Sequence, residues 1–179
     1  GSGIKSVTYN LVDAGNGVNT QLNVVPEIGA DGRYQIPVLI NEGCESDQVK
    51  LTLVVTDNVG NSYEFNKTFS VDKKTPSITL EQGEISDGET IAYYQNQAEF
   101  QFSVTDLSGY TLEWDLDDGA NGQFLELTTE GETAYVTIRE GTINEVKATL
   151  TLTATDAHGH ASEAYTISFV VDNKAPEVE

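Results

Sequence analysis

The chain has 179 residues, with 29 Asp and Glu against 9 Lys and Arg, for a formal net charge of −20 at pH 7. That charge repels nucleic acid and anionic membrane and favours solubility and cation binding, so no nucleic-acid partner and no membrane insertion are expected. The single cysteine, Cys44, cannot close an internal disulfide, so the fold must rest on burial alone.

In chain order, apolar residues recur at every second position. Val7, Tyr9 and Leu11 form the first run, after the pair Ser2-Gly3. Tyr34, Ile36, Val38 and Ile40 form the second and lead into Glu42-Gly43. Val49, Leu51, Leu53 and Val55 follow, then a turn over Asp57 to Asn61 and a run from Phe65 to Val71. Ile78-Leu80 and Ala98-Phe100-Phe102-Val104 come next. Leu112-Trp114-Leu116 follows Ser108-Gly109, and Ala134-Val136-Ile138 leads into Glu140-Gly141. The series closes with Ala148 to Ala154, a turn over Asp156 to His160, and Tyr165 to Val171. Period two means a strand with one buried face, and short strands between Gly- and Asp-rich turns predict an all-β protein without helices.

The second half repeats the first at an offset of about 100 residues. Thr52-Leu53-Val54-Val55-Thr56-Asp57 returns as Thr151-Leu152-Thr153-Ala154-Thr155-Asp156. Phe69-Ser70-Val71-Asp72-Lys73-Lys74-Thr75-Pro76 returns as Phe169-Val170-Val171-Asp172-Asn173-Lys174-Ala175-Pro176. A period this long suits a whole small domain and not a solenoid repeat. Two tandem Greek-key β-sandwiches are therefore expected, residues 1–75 and residues 76–179, the latter ending in the start of another linker. The first lacks counterparts of Ile78-Leu80 and Ala98-Val104, its two opening strands. Such a unit exposes an apolar face and an unpaired edge, so either it is a remnant steadied by its neighbour or a strand-exchanged oligomer forms through it. No leader segment or membrane-spanning stretch is recognisable, and the segment reads as cut from a longer exported protein.

Ser2-Gly3-Ile4, the Glu-Gly pair, Thr56-Asp57-Asn58-Val59-Gly60-Asn61 and Asp72-Lys73-Lys74-Thr75-Pro76 together resemble the tandem bacterial immunoglobulin-like domains of surface adhesins and cell-wall proteins. The stretch Tyr110 to Gly119 also resembles the signature of polycystic-kidney-disease-type domains, a related sandwich. The resemblance implies a seven-stranded immunoglobulin-type sandwich serving as an extracellular stalk or adhesive module on a cell surface or cell wall, with a protein or glycan ligand.

In that architecture the second-to-third-strand loop and the last hairpin loop share the pole where the chain arrives. The linker carries Asp72, the former loop Asp106 and the latter Asp156, so the three carboxylates are expected to gather where one unit meets the next. Ca2+ takes six to eight oxygen ligands, and a site here would stiffen the array. The competing reading needs no metal: Asp at a strand end caps a turn with its own side chain. Apart from Ca2+ no cofactor is indicated.

Other features carry less chemistry. Asp115, Asp117 and Asp118 lack the spacing and distal Glu of an EF-hand and read as a solvated turn. His158 and His160, the only histidines, lie two apart in one loop, short of a zinc site by themselves. Lys67 takes the inward phase that Ile167 takes in the second copy. It reads as an edge-protecting charge or bulge, or as a buried lysine joined covalently to an Asn or Asp. No nucleophile elbow or Cys/His pairing supports catalysis, so the chain is read as no enzyme. The expected function is a spacer or adhesive segment. The alternative is a carbohydrate-binding module of a secreted glycan-degrading enzyme, with Tyr93 and Tyr94 as stacking rings and Trp114 assigned to the core.

Overall fold

The computed structural model describes residues 1–13, 19–24, 27–35 and 43–177, so the strand expected through Ile36, Val38 and Ile40 lies outside the described residues. Two compact units are present, Gly1–Lys74 and Thr75–Glu179. Among the described residues every regular element is a strand.

The first unit contains β1 (Ile4–Asp13), β2 (Asn19–Val24), β3 (Glu27–Ile28), β4 (Tyr34–Gln35), β5 (Glu45–Asp57) and β6 (Ser62–Asp72). Four of them form an antiparallel sheet in the order β2-β1-β5-β6, and β3 and β4 make a small separate hairpin. Val7, Tyr9 and Leu11 of β1 and Val49 of β5 are buried, while Leu51, Leu53, Phe69 and Val71 pack partly covered beside them. The alternation seen in the sequence is therefore the buried face of this sheet.

The second unit is a closed sandwich. It contains β7 (Ser77–Gln82), β8 (Tyr93–Tyr94), β9 (Gln97–Thr105), β10 (Tyr110–Asp117), β11 (Leu125–Glu130), β12 (Thr133–Ile138), β13 (Val146–Asp156) and β14 (Tyr165–Val171). One sheet runs β11-β12-β9-β7 and the other β10-β13-β14-β8. Ala98, Phe100 and Phe102 of β9, Leu125 of β11 and Ala134 and Val136 of β12 face Ala148, Leu150 and Leu152 of β13 and Ile167, Phe169 and Val171 of β14. Each large side chain so buried contributes about 1.5–3 kcal/mol relative to exposure. Phe100 and Phe169 meet at 4.9 Å between ring centroids, and Trp114, partly buried, packs against the core edge-on to Phe102 at 5.5 Å.

Between β7 and β8 the chain changes sheets. β7 pairs antiparallel with β9, whereas β8 pairs parallel with the end of β14, Val170 opposite Tyr93 and Val171 opposite Tyr94. The crossing needs Gly83, which has φ +127° and passes so near Phe100 that a β-carbon would overlap the ring. A two-residue strand carries too little periodicity to be seen in the sequence, and β8 is an addition to the expected pattern.

The two units repeat one ladder. Tyr9 lies opposite Leu53 and Phe65 opposite Leu53 on its other side; Trp114, Leu152 and Tyr165 do the same. Lys67 faces Leu51 as Ile167 faces Leu150. The hairpin turns match too: Asp57 N–H donates to Asn61 C=O at 2.9 Å and Asp156 N–H to His160 C=O at 3.0 Å, while Gly60 and Gly159 take φ +93° and +92°. Lys73 N–H reaches Cys44 C=O just as Asn173 N–H reaches Ile143 C=O. Both units are all-β and share this ladder, and among the described residues the first has no counterpart of β7, β8 or β9.

Candidate functional site

Asp106 and Asp156 belong to the same pole of the second unit, the one at which β7 begins. Ser77, the first residue of β7, pairs with Thr105, immediately before Asp106; Tyr110, which opens β10, pairs with Asp156. Asp106 Oδ1 accepts the Ser108 N–H at 2.9 Å and its hydroxyl at 3.0 Å. Its Oδ2 is buried and accepts no hydrogen bond.

Asp72 closes β6 in the first unit, five positions before Ser77. Its Oδ1 accepts the Lys74 N–H at 3.3 Å, a turn that Asp172 and Lys174 repeat at 2.9 Å. Its Oδ2, like that of Asp106, is buried without a donor. An unpaired oxygen removed from water is costly, and a cation is one way to satisfy it. A carboxylate oxygen is a hard donor of the kind that Ca2+ prefers.

Asp156 is more fully engaged. Oδ1 accepts the N–H groups of His158 and His160, each at 2.8 Å, and Oδ2 lies 2.7 Å from His160 Nδ1. Burial raises its carboxyl pKa, but the hydrogen bonds from His160 and His158 outweigh that and hold it below the usual value. Asp57 does the same work in the first unit. Oδ1 accepts Val59 N–H at 3.0 Å and Asn61 N–H at 2.8 Å, and Oδ2 accepts the Asn61 amide at 3.0 Å. The Asn61 side chain is the main cause that lowers its pKa. Both aspartates thus cap turns, as Asp at this position is suited to do.

Asp118 departs from the sequence reading of a solvated turn. It is 4 % exposed, and its carboxylate gathers a whole loop: Oδ1 accepts N–H from Ala120 and Gly122, at 2.9 and 2.8 Å, and Oδ2 from Phe124 and Leu125, at 2.8 and 3.2 Å. Burial raises its pKa, yet the four donors prevail and pull it down to about 2. A carboxylate whose lone pairs are already taken by the backbone is a structural clamp. The signal for it was the closely spaced glycines Gly119 and Gly122 around Asn121, which the loop places at positive φ.

The aromatic candidates divide. Tyr94 is a core ring, edge-on to Phe100 at 5.6 Å and to Phe169 at 5.8 Å, and its hydroxyl donates to Glu84 C=O at 3.0 Å. It is not available to stack on a sugar. Tyr93, one position on, points the other way and is 53 % exposed. With Trp114 packed on Phe102, Tyr93 is the exposed ring of these three. Lys67 is exposed, so the burial that a lysine cross-link requires is missing.

No protein-family model matches the sequence, and no curated protein does. Among solved structures the chain is similar to the extracellular cadherin domains 1–4 of protocadherin gamma B7, at 13% identity over 70% of this chain and 32% of that one, TM-score 0.42. It is similar to the human desmocollin-1 ectodomain at 16% identity over 97% and 31%, TM-score 0.40. A third likeness is to the complex of Dpr2 Ig1–Ig2 with DIP-Theta Ig1–Ig3, at 11% identity over 93% and 84%, TM-score 0.28. The chain spans about a third of the length of the first two.

Proposed function

We propose that the chain is a non-catalytic spacer or adhesive segment of a bacterial cell-surface or secreted protein, made of tandem immunoglobulin-like domains whose connection is stiffened by Ca2+. The observation that carries the metal is the pair of buried, donorless oxygens, Asp72 Oδ2 and Asp106 Oδ2. Each aspartate spends Oδ1 on the backbone that follows it and leaves Oδ2 for a cation. Asp156 adds a negative charge at the pole where β7 begins, its oxygens held by the hairpin. Five peptide steps separate Asp72 from Ser77, a span of about 18 Å at most. Backbone carbonyls and water complete the six to eight ligands that Ca2+ takes.

Thermal melts at low salt test this. The intact chain melts higher in millimolar Ca2+ than in chelator, and Asp106→Asn removes most of the difference. Equal midpoints with and without Ca2+ contradict the site.

The partner side of the reading concerns β6. It is the last strand of its described sheet, whereas its counterpart β14 carries β8 in parallel. We propose that the outer edge of β6 takes a strand from a second molecule, giving a strand-exchanged oligomer. Sedimentation equilibrium at rising concentration shows a monomer–dimer equilibrium on this account, and a monomer at all concentrations rejects it.

A further inference from the structure

We propose that the β13–β14 hairpin holds a transition-metal dication of imidazole preference, Cu2+ above Ni2+ and Zn2+, through Nε2 of His158 and His160. This site lies within the second unit; it shares Asp156 with the Ca2+ reading as the support of His160 and takes no ligand from Asp72 or Asp106.

The hairpin is built for it in three respects. Asp156, buried to 6 % exposure, fixes the backbone of both histidines by accepting their N–H groups on one oxygen. Its other oxygen takes His160 Nδ1 at 2.7 Å, so that Nδ1 carries the proton and Nε2 keeps the lone pair. A carboxylate behind an imidazole is the support that metal-ligating histidines ordinarily have, fixing the tautomer and raising basicity. Finally, the rings lie side by side, 6.3 Å between centroids and 30° between planes. His158 is exposed, and in the bound state its side chain turns so that both Nε2 atoms lie about 2.0–2.1 Å from one ion. Water fills the other positions.

The twin hairpin shows that the turn does not need these rings. Asp57 caps its turn with the same bonds, and there Val59 stands for His158 and Asn61 for His160. Asn61 makes the side-chain bond to the aspartate that His160 makes, so an amide is sufficient for the fold. The only two histidines of the chain occupy the two equivalent positions of the other turn, 158 and 160. Imidazole prefers Cu2+, Ni2+ and Zn2+, whereas Ca2+ and Mg2+ prefer oxygen, which separates this site from carboxylate chemistry elsewhere in an acidic chain.

The test uses the intact chain, freed of metal and titrated with Zn2+ at pH 7.5 in the presence of saturating Ca2+ while the imidazole ring protons are followed by NMR. Both histidines shift together along one saturation curve, and Cu2+ competes for the same site. His158→Val and His160→Asn, each the residue of the twin hairpin, preserve the turn amide shifts and weaken binding at least tenfold. The double substitution Val59→His with Asn61→His creates a second site of similar affinity. Ring protons unmoved by millimolar Zn2+, two unrelated saturation curves, or undiminished affinity in both single variants would each overturn the proposal.

Discussion

Phe69 and Phe169 occupy equivalent places in equivalent strands and live in different surroundings. Phe169 is 1 % exposed, with Phe100 on one side and Tyr94 on another. Phe69 sits only partly covered beside Tyr9, Leu11 and Val49. The cross-strand register is shared, so sequence repeat is sufficient to repeat the ladder; burial is set by β7 to β9, which bring Phe100 and Phe102 down onto it. Pairing is local to the hairpin, and the core depends on strands distant in sequence.

The largest expected difference follows directly. Phe169→Ala empties a closed core and costs about 3–5 kcal/mol. Phe69→Ala costs about half that or less, because the ring has less apolar contact to lose. Trp114, the only tryptophan and packed against Phe102, reports the unfolding of the second unit in denaturant, and backbone NMR signals report the first. Equal losses would show that the two cores are equally closed.

Next comes the Asp118 clamp, for which the first unit has no twin among the described residues. Asp118→Ala strips the partner from four loop N–H groups and costs about 2–4 kcal/mol. Because the folded pKa is depressed to about 2, the clamp contributes fully above the unfolded value near 3.8 and fades as pH falls toward 2. Acid titration of the second unit should therefore lose this part of its stability between about pH 5 and 2, and Asp118→Asn should flatten that segment of the curve. An unchanged acid limb would remove the clamp.

The twin caps give the smallest effect. Asp57→Ala and Asp156→Ala both speed amide exchange at the two captured positions, 59 and 61 or 158 and 160, and the change is greater for Asp156, whose side chain is fully buried. Equal acceleration would mean that burial adds nothing to the cap.

Much of this was legible in residues alone. The alternation in β5, β6, β13 and β14 is strict enough to give strand, phase and repeat together, and Asp-x-x-Gly gave both turns. What escaped was set by long-range contact. β8 is two residues long and owes its place to the edge of β14, and Tyr94 is turned inward by Phe100 and Phe169 while its neighbour Tyr93 faces out. Asp118 reads as a surface acid because nothing local shows that Leu125, seven positions on, donates to it from the core. For the acidic residues the sequence offered two uses, cap or ligand. The hydrogen bonds show the capping use for Asp57 and Asp156 and the orphaned oxygens raise the second for Asp72 and Asp106.

Amide hydrogen exchange of the intact chain, resolved by residue, is the most direct test that one ladder occurs twice and that, among the described residues, its second copy is the more deeply buried. The account predicts matching patterns of protected and unprotected amides along β6 and β14, with those of β14 exchanging only on global unfolding of its unit and those of β6 far faster. Unrelated patterns in the two strands, or slower exchange in β6 than in β14, would contradict it.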